Sequence, residues 1–418
     1  MSSCCVSWKG DGVVTTETAD AVQGTVHSGF EPLRAEFVRN FTHRDELGAA
    51  LAVAVDGDLV ADLWGGVADA YDERPWERNT LQLIFSGSKG LVATALLVLV
   101  ERAGLDLDRP VSVWWPEFGA AGKDRITLRQ VVTFTAGLPA LHEAVSQADV
   151  EDPEAMAAVL AAQPPEDDPR AYPLMYGPFT PGWIVAEIIR RVDGRDLARF
   201  FHDEVAAPHG LDVHFGVRPG DLGRVARTEY GAGFLDQFTG YFTSSDPLTQ
   251  RVWQNPMPFP PDAAIWSDPR RLTALVPAVN AVGTARDLAR LYSLLAADAT
   301  RDEGEPAAIL GRELLRDATR EHARHTDAII GVPMVYGGGG YRLRTRARPG
   351  ADGASFGHDG GGGSANQAWP RVRAGVSYVP NRLIALGPDD RRAGSVVTAA
   401  AACFGGGSAT PGIEFRRA

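Results

Sequence analysis

The chain has 418 residues, 44% hydrophobic and 22% charged, with 46 glycines and 28 prolines spread through it, which excludes a disordered, collagenous or coiled-coil chain and leaves length for two packed cores. Lys plus Arg number 41 against 53 Asp plus Glu, a net charge of −12, and an acidic surface repels phosphate backbones and anionic headgroups, so neither nucleic acid nor a membrane is expected as a partner. The three cysteines, Cys4, Cys5 and Cys403, give no disulfide framework and no metal-ligand spacing.

Residues 1–25 read as a polar, aperiodic tail. With no apolar stretch ahead of Lys9 and Asp11, a secretory signal is not expected, and the protein is assigned to the cytoplasm. Leu33, Phe37, Val38 and Phe41 recur at helical spacing and predict a helix ending near His43. Two β-prone runs, Leu51–Val55 and Leu59–Trp64, flank Asp56-Gly57-Asp58, the signal of a hairpin. Residues 86–103 are apolar all round from Leu91 to Val100, as in a helix buried on every side; that run is too short to span a bilayer, which takes about 20 residues. Helical stretches are expected near 127–134, 151–163, 180–193 and 196–206, then from Ala285 to Leu295 and over 306–323. Strands are expected within Val332–Arg346, Ala354–His358, Gly375–Pro380 and Leu383–Leu386, before a terminal helix near 391–403. Sheet segments at both ends with helices between predict an α/β domain from residues 26–105 and 276–418 and a mostly helical domain over 106–275.

Phe85-Ser86-Gly87-Ser88-Lys89-Gly90 opens the buried helix. Ser86 and Lys89, three apart, share a helical face, so the amine can reach the hydroxyl. A serine needs a base to become a nucleophile, and burial beside a helix amino terminus lowers a lysine pKa toward neutrality. The same terminus offers N–H groups, that of Ser86 included, to an oxyanion. A Ser helix cap followed by a solvated lysine is the plain alternative. Gly360–Ala365 fits G-x-G-x-x-A, but strand follows it rather than the helix a dinucleotide site needs. His322 and His325 are expected on one exposed helical face without a third ligand. No G-x-S-x-G elbow is present.

Ser86-x-x-Lys89, then Trp114-Trp-Pro-Glu-Phe118, Ile126-Thr-Leu-Arg-Gln-Val-Val and Ala136-Gly-Leu138 together resemble the serine β-lactamase-like superfamily, within it most closely the class C β-lactamases and family VIII carboxylesterases. Tyr176-Gly-Pro-Phe-Thr180 ahead of Gly182-Trp183 is similar to the esterases' tyrosine segment, with Tyr172 as a rival tyrosine. Phe356-Gly-His-Asp-Gly360 running into Gly361-Gly-Gly-Ser364 is similar to the strand that carries Lys-Thr-Gly in β-lactamases and often His-x-Gly in esterases. Gly283-Thr-Ala-Arg-Asp-Leu-Ala-Arg290 resembles the family's helix before the closing strands. The resemblance spans about residues 30–385.

It implies a β-lactamase/transpeptidase-like α/β fold, an antiparallel sheet flanked by helices plus a mostly helical domain. It implies Ser86 as nucleophile, Lys89 with Tyr176 as proton acceptor and relay, and His358, Gly360 and Gly361 as oxyanion or substrate contacts, with the Gly361 N–H opposite that of Ser86. Pro178 stands where β-lactamases usually carry asparagine and His358 where they carry lysine, which weakens a lactamase reading. Phe134 and Trp369-Pro370 are further departures, expected to reshape the pocket. Phe234, Phe238, Tyr241, Phe242 and Trp253 line an acyl pocket or form plain core. The expected activity is ester hydrolysis on small molecules through an acyl-enzyme, without metal or organic cofactor. Acyl transfer, β-lactam or D-amino-acid peptide hydrolysis, and non-catalytic binding of an acylated ligand are the alternatives.

Overall fold

The Asp56-Gly57 turn sets the register of the first hairpin. Both residues have positive φ, +51° and +87°, as a two-residue turn matched to strand twist requires. It pairs β2 (Gly48–Val55) antiparallel with β3 (Asp58–Asp69). The computed structural model describes residues 22–166, 173–302, 304–345, 350, 353–385 and 390–405. Within them β1 (Val22–Val26), β2, β3, β4 (Glu321–Thr326), β5 (Pro333–Gly337), β6 (Arg342–Leu343), β7 (Phe356–Gly357), β8 (Ala365–Trp369) and β9 (Ala374–Pro380) form one sheet in the order β1-β3-β2-β9-β8-β7-β6-β5-β4, with Arg74–Pro75 beside β3. Every neighbouring pair is antiparallel.

The near-continuous apolar run of β2 reflects burial on both faces. Ala49, Leu51 and Val53 meet α1 (Glu31–His43) and the terminal helix α7 (Arg391–Gly405) through Leu33, Phe37 and Val396. Ala50, Ala52 and Ala54 face the other way, toward α6 (Ala285–Asp298) and the buried helix α2 (Ser88–Ala103). Side chains that alternate along a strand thus divide between two layers of helices. In α2 all residues from Ser88 to Val100 are buried, and Gly104 at φ +65° ends the helix. Between β3 and β4 along the chain come α3 (Leu128–Val132), opened by a Thr127/Gln130 capping box, α4 (Pro153–Ala162) and α5 (Thr180–Asp193). One apolar cluster runs from β2 through α2 into these helices.

Three expectations need correction. Val22–Val26, assigned to the tail, is edge strand β1: Val22 is buried against β3 while Gln23 and Thr25 face solvent, an alternation that its polarity masks. Residues 1–21 lie outside the described part. The helix expected over 306–323 is confined to Arg312–Thr319, and Glu321–Thr326 is edge strand β4, where pairing with β5 overrides a weakly β-prone polar sequence. His322 and His325 therefore stand on a strand, not on one helical face. Arg382–Leu383 leaves the large sheet to pair in parallel with Glu229–Tyr230, and Leu386 is outside the described residues. Within the mostly helical middle Val213–Phe215 is a short strand; it and Gln82–Leu83, which precedes that middle, both pair with Ala281–Gly283. Among the described residues no helix is long and apolar enough to cross a membrane, and no group of three or more His, Cys, Asp or Glu side chains is placed to hold a metal ion.

Candidate active site

Gln82–Leu83 leads into the site, and the Ile84 N–H donates to the Ala281 carbonyl at 3.0 Å. The chain then turns at Phe85, whose φ of +47° is a region that bulky residues avoid. Its buried ring packs against Trp266 at 5.1 Å and Phe259 at 5.7 Å, and such packing holds a conformation that costs about 1–3 kcal/mol. Phe85–Gly87 is a 3₁₀ turn running straight into α2. Gly87 N–H closes on the Ile84 carbonyl at 2.9 Å. The N–H of Ser86 precedes that first bond, so the helix itself supplies no acceptor for it. From Thr80 to Val100, Ser86 alone is not buried, so its hydroxyl lies where a buried scaffold meets a surface.

Lys89 lies one turn along α2, 5% exposed. Its Nζ donates to Ser86 Oγ at 3.1 Å, to the Pro178 carbonyl at 2.7 Å and to the Ala278 carbonyl at 3.1 Å. Among the described residues no carboxylate pairs with it. Burial without a counter-charge holds its pKa well below the ordinary lysine value; the Tyr176 ring, 5.0 Å from Nζ to its centroid, favours the cation weakly in return. Lys89 borders a cavity of about 20 Å³ shared with Val92, Phe134 and Gly182, room for a single water. The two carbonyls reach the amine because α5 enters close by. A Cβ on Gly182 would lie 2.6 Å from the Ala278 nitrogen, so only glycine permits that approach.

Tyr176 OH is 2.6 Å from Ser86 Oγ. Its ring stacks on Phe134 at 5.0 Å and 25°, and Phe134 packs in turn on Tyr336 at 4.8 Å. Burial pushes the phenol up to about 12, against the pull of the Ser86 bond, so at neutral pH it is protonated and able to donate. The Tyr176 backbone N–H donates to Asp327 Oδ2 at 2.7 Å.

The structure thus brings Ser86, Lys89 and Tyr176 together, and places the other expected residues as follows. His358 is 1% exposed and its Nδ1 donates to the Asp359 carbonyl at 2.8 Å; its ring lies 6.4 Å from Tyr336, in the layer behind Phe134. Gly360 N–H donates to Ser364 O at 2.9 Å and is already engaged, so it is not an oxyanion donor. Its lack of a side chain matters instead, since a Cβ there would sit 2.0 Å from the Ile84 carbonyl, which also accepts Ser364 Oγ at 3.1 Å. The Gly360–Ser364 turn is thereby pinned two residues ahead of Ser86, with Gly361 half-buried at its tip. Pro178 contributes its carbonyl to Lys89. Trp369 does not shape the pocket: it lies on the far face of the sheet against Phe404 at 5.9 Å. Phe234, Phe238 and Trp253 are buried and extend the aromatic layer from Phe85 through Phe259, whereas Tyr241 and Phe242 are half-buried. Tyr172 lies outside the described residues. Sequence reasoning missed the strained Phe85, the Ala278 carbonyl and Asp327. Of these only Asp327 carried a signal, an Asp opening a loop ahead of Gly331 and Pro333.

A serine in contact with a buried lysine and a tyrosine thus stands at the head of α2, and the chain that carries it is matched by a family model, Beta-lactamase, over residues 35–401. The chain belongs to the β-lactamase family. The esterase/beta-lactamase LipL of Mycobacterium tuberculosis is 32% identical over 381 residues, covering 87% of this chain and 83% of that protein. Among solved structures, a family VIII carboxylesterase is 32% identical with a TM-score of 0.81 over 91% of this chain and 99% of its own. A penicillin-binding protein homologue from Caulobacter crescentus is 30% identical with a TM-score of 0.79 over the same 91% of this chain and 99% of its own. Membership in the β-lactamase family gives this chain the β-lactamase/transpeptidase-like fold and makes it a hydrolase of that fold.

Proposed function

We propose that the chain hydrolyses small carboxylic esters through an acyl-enzyme on Ser86. The observation that carries this is the pair of bonds at one oxygen: Ser86 Oγ lies 3.1 Å from Lys89 Nζ and 2.6 Å from Tyr176 OH. Two of the three positions around Nζ face carbonyls, which only accept. A neutral Lys89 therefore spends its two N–H bonds on Pro178 and Ala278 and aims its lone pair at the Ser86 hydroxyl. It takes that proton as Oγ attacks the ester carbonyl. The N–H of Ser86 and that of Gly361 meet the developing oxyanion. The proton then passes by way of Tyr176 to the departing alkoxide. Water repeats the sequence on the acyl-enzyme, leaving the acid and a restored serine.

Ester rather than lactam chemistry is supported by Pro178, which brings no side-chain amide to the site, and by the 32% identity to a solved family VIII carboxylesterase; LipL, also 32% identical, carries both esterase and beta-lactamase in its name and favours neither. The test is a comparison of initial rates on a short-chain nitrophenyl ester and a chromogenic cephalosporin. The ester is expected to turn over faster by at least about tenfold, or roughly 1.4 kcal/mol of barrier. Faster cephalosporin hydrolysis favours a lactamase, and no turnover of either favours a binder of acylated ligands.

A further inference from the structure

Tyr176 lies in a stretch, 174–177, without regular secondary structure, so no ladder or helix receives its buried N–H. A loop distant in sequence, at residues 327–332, does so instead. The Asp327 carboxylate, 1% exposed, divides its oxygens: Oδ2 accepts Tyr176 N–H at 2.7 Å, while Oδ1 accepts the N–H groups of Ile329 at 2.9 Å and Ile330 at 2.8 Å. The loop is closed on itself by Asp327 N–H to Val332 O and Gly331 N–H to Asp327 O, both 2.9 Å. A second strut joins it to the tyrosine segment, Ala328 N–H to Leu174 O at 3.0 Å, and Tyr241 OH holds its outer end through Ile330 O at 3.3 Å. Among the described residues the hydrogen bonds to this carboxylate come from backbone N–H groups, with Arg342 adding a weaker attraction, and a buried charge so held depends on those donors.

We propose that Asp327 is a positioning residue, the keystone of a bracket formed by residues 327–332 that fixes the Tyr176 phenol against Ser86. The inference rests on the reading of Ser86 as nucleophile and Tyr176 as proton relay. The tyrosine ring is stacked on Phe134, so its hydroxyl has little freedom of its own. Where the backbone of residue 176 sits decides whether OH and Oγ stay at 2.6 Å. Displacement of a catalytic group by about 1 Å is enough to slow a reaction by about 100-fold.

Asp327→Asn tests this selectively. The variant is isosteric and keeps one oxygen, which preserves the turn to Ile329 and Ile330, but it turns an amide N–H₂ toward the Tyr176 N–H. Expected on a short nitrophenyl ester is a fall in kcat of about 10- to 100-fold with KM changed less than about threefold. In a Tyr176→Phe background the same substitution is expected to cost under about twofold, because the group it positions is already gone. Equal losses in the two backgrounds, or an unchanged kcat in D327N alone, overturn the inference. Should D327N not fold, Asp327→Glu, which keeps the charge but displaces it, is read by the same two criteria. Ser86→Ala separates the failures: activity surviving in S86A sinks the nucleophile and the bracket together, whereas an inactive S86A beside equal losses sinks the bracket alone.

Discussion

Lys89 is surrounded by two carbonyl oxygens and one hydroxyl, a set that accommodates an ammonium through three donated bonds and an amine through two. Burial shifts the balance between them toward the amine. The folded pKa lies below the unfolded value of about 10.4, so between the two the unfolded chain binds more protons, and the contribution of this site to stability rises with pH. The rate follows the same direction: kcat/KM for an ester is expected to increase with pH through a group titrating well below the lysine norm. In Lys89→Arg, which cannot lose its proton, that limb is expected to vanish and kcat/KM to drop by at least about 100-fold; an unchanged limb would assign it to another group. Tyr176→Phe keeps the ring on Phe134 and removes only the hydroxyl, so kcat is expected to fall by about 100-fold or more with the fold intact by circular dichroism. The spacing of Ser86 and Lys89 puts the two on one helical face, but a Ser cap followed by a solvated lysine fits the same residues, and it is the ordered motifs of the family resemblance that favour the pair. The carbonyls of Pro178 and Ala278 were not readable, because any residue carries a carbonyl and only the tertiary path of the chain brings those two to the amine.

Elements differ in how far their sequences announce them. α2 is apolar on every side and β2 nearly so, and both are the buried elements that such patterns describe. β1 and β4 sit at the two edges of the sheet, where one solvated face or a charged edge removes the apolar run, and there local pattern misled. The entry of α5 shows why close packing is also hidden: Gly182 looks like a weak helix residue, yet its missing side chain lets the helix press on Ala278. Gly182→Ala is expected to push α5 outward and draw the Pro178 and Ala278 carbonyls off Lys89. The amine then loses acceptors, and kcat is expected to fall about tenfold or more while KM moves less; an alanine variant with wild-type kinetics would show that the approach is not needed.

Across the whole molecule the site is assembled from distant parts of the chain, with Ser86 before α2, Tyr176 before α5 and Ala278 before α6, and the proposed oxyanion donor Gly361 lies between β7 and β8. α7 closes this arrangement from the far side of the sheet. Arg392, 1% exposed, donates to Glu46 Oε1 at 2.8 Å, to Asp390 Oδ2 at 2.6 Å and to the Gly362 carbonyl at 3.2 Å. The terminal helix thus reaches the turn that bears Gly361. Arg392→Met strands two buried carboxylates and is expected to cost about 3–5 kcal/mol in urea unfolding, whereas Glu46→Gln, which keeps a hydrogen-bonding shape, costs less. Equal stability of R392M and wild type would show that the pair is not needed to close the fold. The order of motifs along the chain was readable; the Arg392 link was not, since nothing local joins residue 392 to residue 362.

The mass of the intact protein after incubation with a small fluorophosphonate, with the adduct mapped by peptide sequencing, tests the central assignment most directly. A single adduct on Ser86 in the wild type, absent in Ser86→Ala and slowed in Lys89→Arg, is the predicted result. An adduct on another residue, or none on the wild type, contradicts it.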